Sequence, residues 1–177
     1  MKHKFHIHPD IKKAETLPAS FYRDQAVFDA IKEKVFLKSW HWIGDKNLVK
    51  LPQSVHPFVL LDGYLTEPLL LTRNADDEIT CLTNVCTHRG NLVALHPGKS
   101  KKLICTYHGR RFDLKGKFES MPEFEEAADF PRPCDNLHQF PVLEWGPLLF
   151  TGLDTQIDFE GVIITMKERV GFLPLDE

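Results

Sequence analysis

Two short segments carry the residues whose chemistry stands out. Cys86-Thr-His88-Arg-Gly90 and Cys105-Thr-Tyr-His108-Gly109 each set a thiol close to an imidazole and end on glycine, with sixteen residues between His88 and Cys105. Thiolates and neutral imidazoles are metal ligands. Glycine tolerates φ > 0, so it lets a loop fold tightly around a metal and turn backbone N–H groups toward sulfur. Two metal centres suit this set. One is a single zinc held by two Cys and two His. The other is a two-iron, two-sulfide cluster with thiolates on one iron and imidazoles on the other. Zinc motifs more often pair Cys with Cys and His with His, so the mixed pairs favour the cluster. A coincidence of core cysteines and surface histidines would have to repeat both residue types, in the same order, in two loops.

Such loops need strands to hold them. After a polar tail, Pro18, Ala19 and Ser20 lead into a stretch where Val27, Ile31 and Val35 recur at i, i+4 and i+8, with Phe28 and Phe36 beside them. With Asp24 as a cap, this predicts an amphipathic helix over 24–38. Trp40-His-Trp-Ile43 reads as a short strand, with both tryptophans expected in the core. From there Gly, Pro and Asp-Gly punctuation recurs every few residues, separating β-rich runs at 58–61, 69–72, 79–83, 103–106, 140–145 and 147–151. Short strands with regular turn signals predict an all-β fold of antiparallel strands over 40–153, preceded by the N-terminal helix. The run 79–83 feeds the first Cys/His pair and 103–105 the second, which puts both ligand loops at hairpin tips. Residues 159–170 can begin a helix. The expected division is a tail and helix over 1–39, a β domain over 40–153, and the start of a linker over 154–177.

Composition excludes several classes. Net charge is −3 and the pI is near 6.3, so no broad basic face for nucleic acid is expected. The charged amino terminus lacks the apolar stretch of a secretory signal. The longest apolar runs, such as Pro68 to Leu71, fall far short of the ~18–20 residues that cross a bilayer. A soluble, cytoplasmic protein without a membrane partner is the expectation. With no export signal, the four cysteines are expected to be free or metal-bound rather than paired. Cys81 and Cys134, with no ligand neighbours, are expected to be small buried apolar residues.

The two loops resemble the Rieske [2Fe–2S] signature, which implies that Cys86, His88, Cys105 and His108 are both the metal ligands and the cofactor-binding residues. Arg89, Tyr107 and the run Arg111-Phe-Asp-Leu-Lys-Gly-Lys117 resemble the branch found in the large (alpha) subunit of ring-hydroxylating, Rieske non-haem iron oxygenases. The amino-terminal order of Leu17-Pro-Ala-Ser-Phe-Tyr22, helix and Trp40-His-Trp42 is similar to the opening of that subunit, as is Pro122-Glu-Phe-Glu125. Respiratory Rieske proteins carry an extra cysteine in each loop; here those positions are Asn91 and Tyr107, so that disulfide is missing. The resemblance departs at Arg110, where the oxygenases usually carry tryptophan. A charged side chain there is expected to change solvent access or docking near the cluster.

The resemblance implies one-electron transfer within an O₂-dependent dioxygenase or monooxygenase of aromatic compound catabolism. A reductase or ferredoxin is the implied donor, a mononuclear non-haem Fe(II) the acceptor, and a homotrimer the implied assembly. That Fe(II) would sit in a two-His, one-carboxylate triad that cannot be assigned here, since no histidine follows His138. The hydroxylating domain is thus expected to be absent from these residues, and no catalytic residue is assigned. Replacing two thiolates by imidazoles makes the oxidised cluster formally neutral instead of doubly negative. This eases reduction, with potentials of roughly −150 to +300 mV. In this family the electron resides mainly on the imidazole-bound iron, which makes His88 and His108 the implied exit route. A free-standing Rieske ferredoxin and a zinc-stabilised interaction module are the competing readings.

Elsewhere the residues read as ordinary. Arg89, Arg110 and Arg111 are expected around the docking area or as solvated surface. His3, His6 and His8 belong to a solvated tail, and His41, His56, His96 and His138 lack ligand partners. Lys99, Lys101 and Lys102, like Glu123, Glu125 and Glu126, read as solvated faces.

Overall fold

The protein is described by a computed structural model over residues 5–124 and 126–174; His3 and Glu125 lie outside these. Leu69, Leu70 and Leu71 show why the architecture is layered. All three are fully buried, although strand side chains alternate between faces. Leu70 joins one apolar cluster, with Leu82, Phe112, Leu114, Phe118 and both motif cysteines. Leu69 and Leu71 join another, with Val49, Leu60, Cys81 and Leu149. Their strand is therefore covered on both sides, and a continuous apolar run is what such a strand requires. Each buried leucine contributes about 1.5–3 kcal/mol.

In chain order, helix α1 (Gln25–Lys34) is followed by β1 (His41–Asp45), β2 (Ser54–Leu60), β3 (Glu67–Arg73), β4 (Ile79–Thr83) and β5 (Gly98–Lys99). Then come β6 (Leu103–Ile104), β7 (Arg111–Phe112), β8 (Phe118–Ser120), β9 (Gln139–Phe140), β10 (Val142–Trp145), β11 (Leu148–Thr151) and helix α2 (Phe159–Val170). The central sheet has the order β5-β2-β3-β4-β9. One face packs against the sheet β1-β11-β10, the other against the small sheet β6-β7-β8 that carries the second motif. All strand pairs are antiparallel. This is the all-β class expected, with an amino-terminal helix ahead of it.

The structure corrects several details. The first helix stops at Lys34, not at residue 38; Val35 is its C-cap, and Phe36–Lys38 form a separate 3-10 turn. Phe36, in that turn, packs edge-on against Tyr64, 4.9 Å between centroids, as Phe28 of the helix does at 4.7 Å. The run 140–145 splits at Pro141, which has no N–H for a ladder, and its halves join different sheets. Strands β5, β7 and β8 are two or three residues long, below the length at which alternation is readable. Trp40 packs against Phe159 and donates its indole N–H to the Ile157 carbonyl, but Trp42 is 64% exposed. Cys81 is buried as expected; Cys134 is exposed, because its short turn sends the next residue, Asp135, inward. Among the described residues no helix is long and apolar enough to cross a membrane.

A buried hydrogen bond ties the central sheet to the turn between β7 and β8 of the small one. Thr72, fully buried on the Leu70 side of β3, donates its hydroxyl to the Leu114 carbonyl at 2.6 Å. Thr72→Val keeps the shape and strands that carbonyl in an apolar layer. The expected loss is about 1–3 kcal/mol of unfolding free energy, read by urea titration of the cluster-loaded protein.

Candidate metal centre

The two motif loops are built alike. Val85 bridges Leu92 across the first, and Ile104 pairs with Arg111 across the second, so each loop runs through six residues. In the first, the Cys86 N–H donates to the Asn91 carbonyl at 2.8 Å and the Gly90 N–H to the Cys86 carbonyl at 3.0 Å. In the second, the Cys105 N–H donates to the Arg110 carbonyl at 2.8 Å and the Gly109 N–H to the Cys105 carbonyl at 2.9 Å. The closing glycines have φ of +71° and +72°, in the left-handed region. With its own polar groups satisfied locally, each loop leaves the N–H groups behind its cysteine free to face sulfur.

The structure brings all four candidate ligands together. Cys86 and Cys105 are 3% and 2% exposed and lie against the core. Their side chains hydrogen-bond each other, and neither is in a disulfide. The His88 and His108 rings meet edge-on, 4.7 Å between centroids, with His88 half-buried and His108 exposed. Among the described residues no three His, Cys, Asp or Glu side chains gather around one point. The four sort into a buried sulfur pair and an imidazole pair further out, an arrangement that suits two metals with two protein ligands each. The residues present fit a [2Fe–2S] cluster.

Electrostatics supports the same assignment. Burial pushes the Cys86 thiol up; the His88 backbone N–H opposes this, and the hydrogen bond to Cys105 reinforces it. Burial also pushes Cys105 up. Hydrogen bonds from the Tyr107 N–H, the Cys86 thiol, the Asn91 amide and the His108 N–H outweigh it, so this thiol lies below the ordinary range. Donors aimed at sulfur are what a thiolate ligand needs. Burial, followed by the charges of His108, Arg89 and Arg110, lowers His88, which keeps its ring in the neutral form a metal takes.

Several residues at the site carry no signal of their own in the sequence. Asn91 Nδ2 lies 3.7 Å from Cys105 Sγ, a contact from one loop to the other. Thr87 donates its hydroxyl to the Asp135 carbonyl at 2.8 Å, anchoring the first loop. Phe124 packs edge-on against His88 at 5.9 Å, and Tyr107 lies over His108 at 3.8 Å. The resemblance marked Asn91 only as the place of a missing cysteine; matching the two loops, residue six against residue six, is the signal that could have marked it as a loop-closing position. Arg89 and Arg111 are exposed, as expected of a rim. Arg110 is not: it is 3% exposed and ion-paired to Asp135. The expectation of a surface guanidinium is corrected, because three phenylalanines and a carboxylate form a slot that takes it inward.

The closing glycines differ in what surrounds them. A Cβ on Gly90 meets nothing, whereas one on Gly109 comes within 3.3 Å of Pro122 Cγ. Both Gly90→Ala and Gly109→Ala are expected to cost about 1–2 kcal/mol for the left-handed backbone. Gly109→Ala should cost visibly more, measured by denaturant titration following the visible absorbance of the centre.

Comparison with known proteins agrees with this geometry. The family model of the Rieske [2Fe-2S] domain matches residues 39–141. The chloroplastic choline monooxygenase of Beta vulgaris is 28% identical over 161 residues, 88% of this chain and 34% of that protein. The biphenyl dioxygenase subunit alpha of Metapseudomonas furukawaii is 32% identical over 137 residues, 75% of this chain and 28% of that protein. Among solved structures, a quaternary ammonium Rieske monooxygenase superposes with a TM-score of 0.81 at 22% identity. That match covers 95% of this chain and 47% of the other, and the likeness is one of fold. The chain spans about a third of the length of these curated relatives.

Proposed function

The chain belongs to the Rieske [2Fe–2S] domain family, and on that premise we propose that Cys86 and Cys105 hold one iron of its cluster while His88 and His108 hold the other. The observation that carries this is the sorting of the ligand set, with two sulfurs sealed in the core and two imidazoles at the surface. When bound, the cluster supplies reversible one-electron transfer. The protein's residues do the rest. Backbone N–H groups of His88, Tyr107 and His108 hold the thiolates. Phe124 and Tyr107 wall the imidazoles, and His108 stays accessible to a partner.

The wider role is that of the electron-carrying part of an oxygenase terminal component. A choline monooxygenase and a biphenyl dioxygenase both share this segment, which suits a module that delivers electrons to either chemistry rather than one that selects substrate. The match to the choline enzyme also extends beyond residues 39–141, which favours an oxygenase subunit over a free-standing ferredoxin. In this reading a reductase or ferredoxin reduces the centre. The electron then passes through His88 or His108 to a mononuclear non-haem iron held by residues outside these 177, across a subunit boundary in a trimer. Residues 1–39 form the tail and helix, 40–153 the electron-transfer domain and 154–177 the start of a linker.

The test is metal analysis of anaerobically purified protein. Two irons and two sulfides per chain are expected, with a visible spectrum that bleaches reversibly on one-electron reduction; one zinc and no colour refutes the reading. His88→Ala and His108→Ala should each retain at least about tenfold less iron, since even residues that merely support ligands are worth that much in affinity. Chelation of iron from the wild type should lower the midpoint of thermal unfolding, because metal affinity and folding are coupled.

A further inference from the structure

The sixth residues of the two loops, Asn91 and Arg110, occupy equivalent places, each accepting the N–H of its own loop's cysteine. Asn91 uses that place to reach the sulfur of the other loop. Arg110 uses it to bury a full positive charge beneath the site. Its guanidinium lies 5.0 Å from the Phe118 ring, 5.6 Å from Phe130 and 5.9 Å from Phe112. One nitrogen pairs with Asp135 Oδ1, and Nε has no protein partner among the described residues. Asp135 is held in turn: its Oδ2 accepts the Arg132 N–H at 2.7 Å, and its carbonyl accepts the Thr87 hydroxyl. One ion pair thus touches both ligand loops, through Arg110 in the second and Thr87, between Cys86 and His88, in the first.

Charges in such a place are poorly screened. Water and salt have little access to a guanidinium enclosed by three aromatic rings, so its field is less screened than it would be at an exposed position. It bears on both the Cys86 thiol and the His88 ring. Reduction adds one negative charge to the centre, so a fixed, poorly screened charge on a residue that closes one ligand loop and is paired to the anchor of the other changes the free energy of accepting the electron.

We infer that the buried Arg110–Asp135 pair sets the reduction potential of the centre, Arg110 favouring the reduced form and Asp135 holding that effect in check. Both are positioning residues, since neither touches the metal. The inference rests on the cluster assignment made above and deepens it.

The experiment is a redox titration of the loaded protein, followed by visible absorbance, on wild type, Asp135→Asn, Arg110→Gln and Arg110→Lys. Asp135→Asn keeps the carbonyl that anchors Thr87 and leaves the cation uncompensated, so its potential should rise above wild type. Arg110→Gln removes the buried cation and leaves the carboxylate with only Arg132, whose exposed guanidinium lies 3.9 Å away, so its potential should fall. Arg110→Lys keeps the charge and should stay near wild type even where stability drops. A purely structural pair would lower the thermal midpoint in all three variants while their potentials matched wild type, and that result overturns the inference. So do shifts of the same sign in Asp135→Asn and Arg110→Gln. If Arg110→Gln does not load, Asp135→Asn decides: a potential at or below wild type refutes the proposal. Iron and sulfide analysis of the wild type separates the two levels, because a chain without a two-iron centre fails the cluster assignment itself. A wild type that titrates normally, with unmoved variants, fails only this inference.

Discussion

The structure depends on one constraint, that sulfur must be buried and donated to while imidazole stays outside. Two six-residue loops solve it in the same way. In each, the cysteine's own N–H is spent on the sixth residue's carbonyl, and a glycine in the left-handed region supplies the return bond to the cysteine carbonyl. That closure turns the following N–H groups toward sulfur. It also places the histidine two or three residues on, at the rim. An extended strand would put Cys86 and His88 on the same face but leave no N–H free for the sulfur, since the ladder would use it.

The rest of the fold gives those loops a rigid floor. The cysteines belong to the same apolar cluster as Leu70, Leu82 and Phe112, so the sulfurs rest on the central sheet and the small sheet together. The Thr72 hydroxyl on the Leu114 carbonyl, and Gly116 fitted closely against Leu82 and Leu137, fix how those two layers meet. A side chain at Gly116 would stand 2.9 Å from Leu82 Cδ2 in a backbone with φ of +80°, and the layers would part. Packing and ligand placement are therefore one problem. Whatever moves β3 against β7 also moves Cys105 against Cys86.

What the sequence discloses follows from how local each feature is. The ligand loops were legible because ligand spacing and the closing glycines lie within five or six residues of one another. The strand over 69–72 was legible as a short apolar run between turn signals, but its central, doubly covered place was not, since that depends on the two other sheets. Helix α1 was legible at its start, where Asp24 caps within two residues, and not at its end, where the apolar spacing runs on through Val35 although the helix stops at Lys34. The exposure of Cys134 and the burial of Arg110 were not legible at all. Both depend on Asp135 turning inward, twenty-five residues from Arg110, and nothing near either residue announces that. The outward position of His108 was readable only through resemblance.

Arg110 shows how a local departure from a family pattern can be absorbed without loss of the site. Tryptophan, the usual residue after the second loop's glycine, is flat, large and apolar, with a single N–H to place. Arginine is flat as well and stacks on aromatic faces, so it can enter a slot lined by Phe112, Phe118 and Phe130. Lysine, a compact and strongly hydrated charge, could not fill it so well. The charge is what does not fit, and a buried cation costs several kcal/mol unless it is paired. Asp135 supplies the pair, and its carboxyl lies below the ordinary range: burial alone would raise it, but the Arg132 N–H and the Arg110 guanidinium outweigh that. The sign follows directly. A carboxylate whose folded-state pKa is depressed adds stability above its unfolded pKa of ~3.9, and that stability is lost as pH falls through the folded value. At neutral pH Asp135 is therefore ionised, and the slot holds the Arg110 guanidinium against it as a buried ion pair.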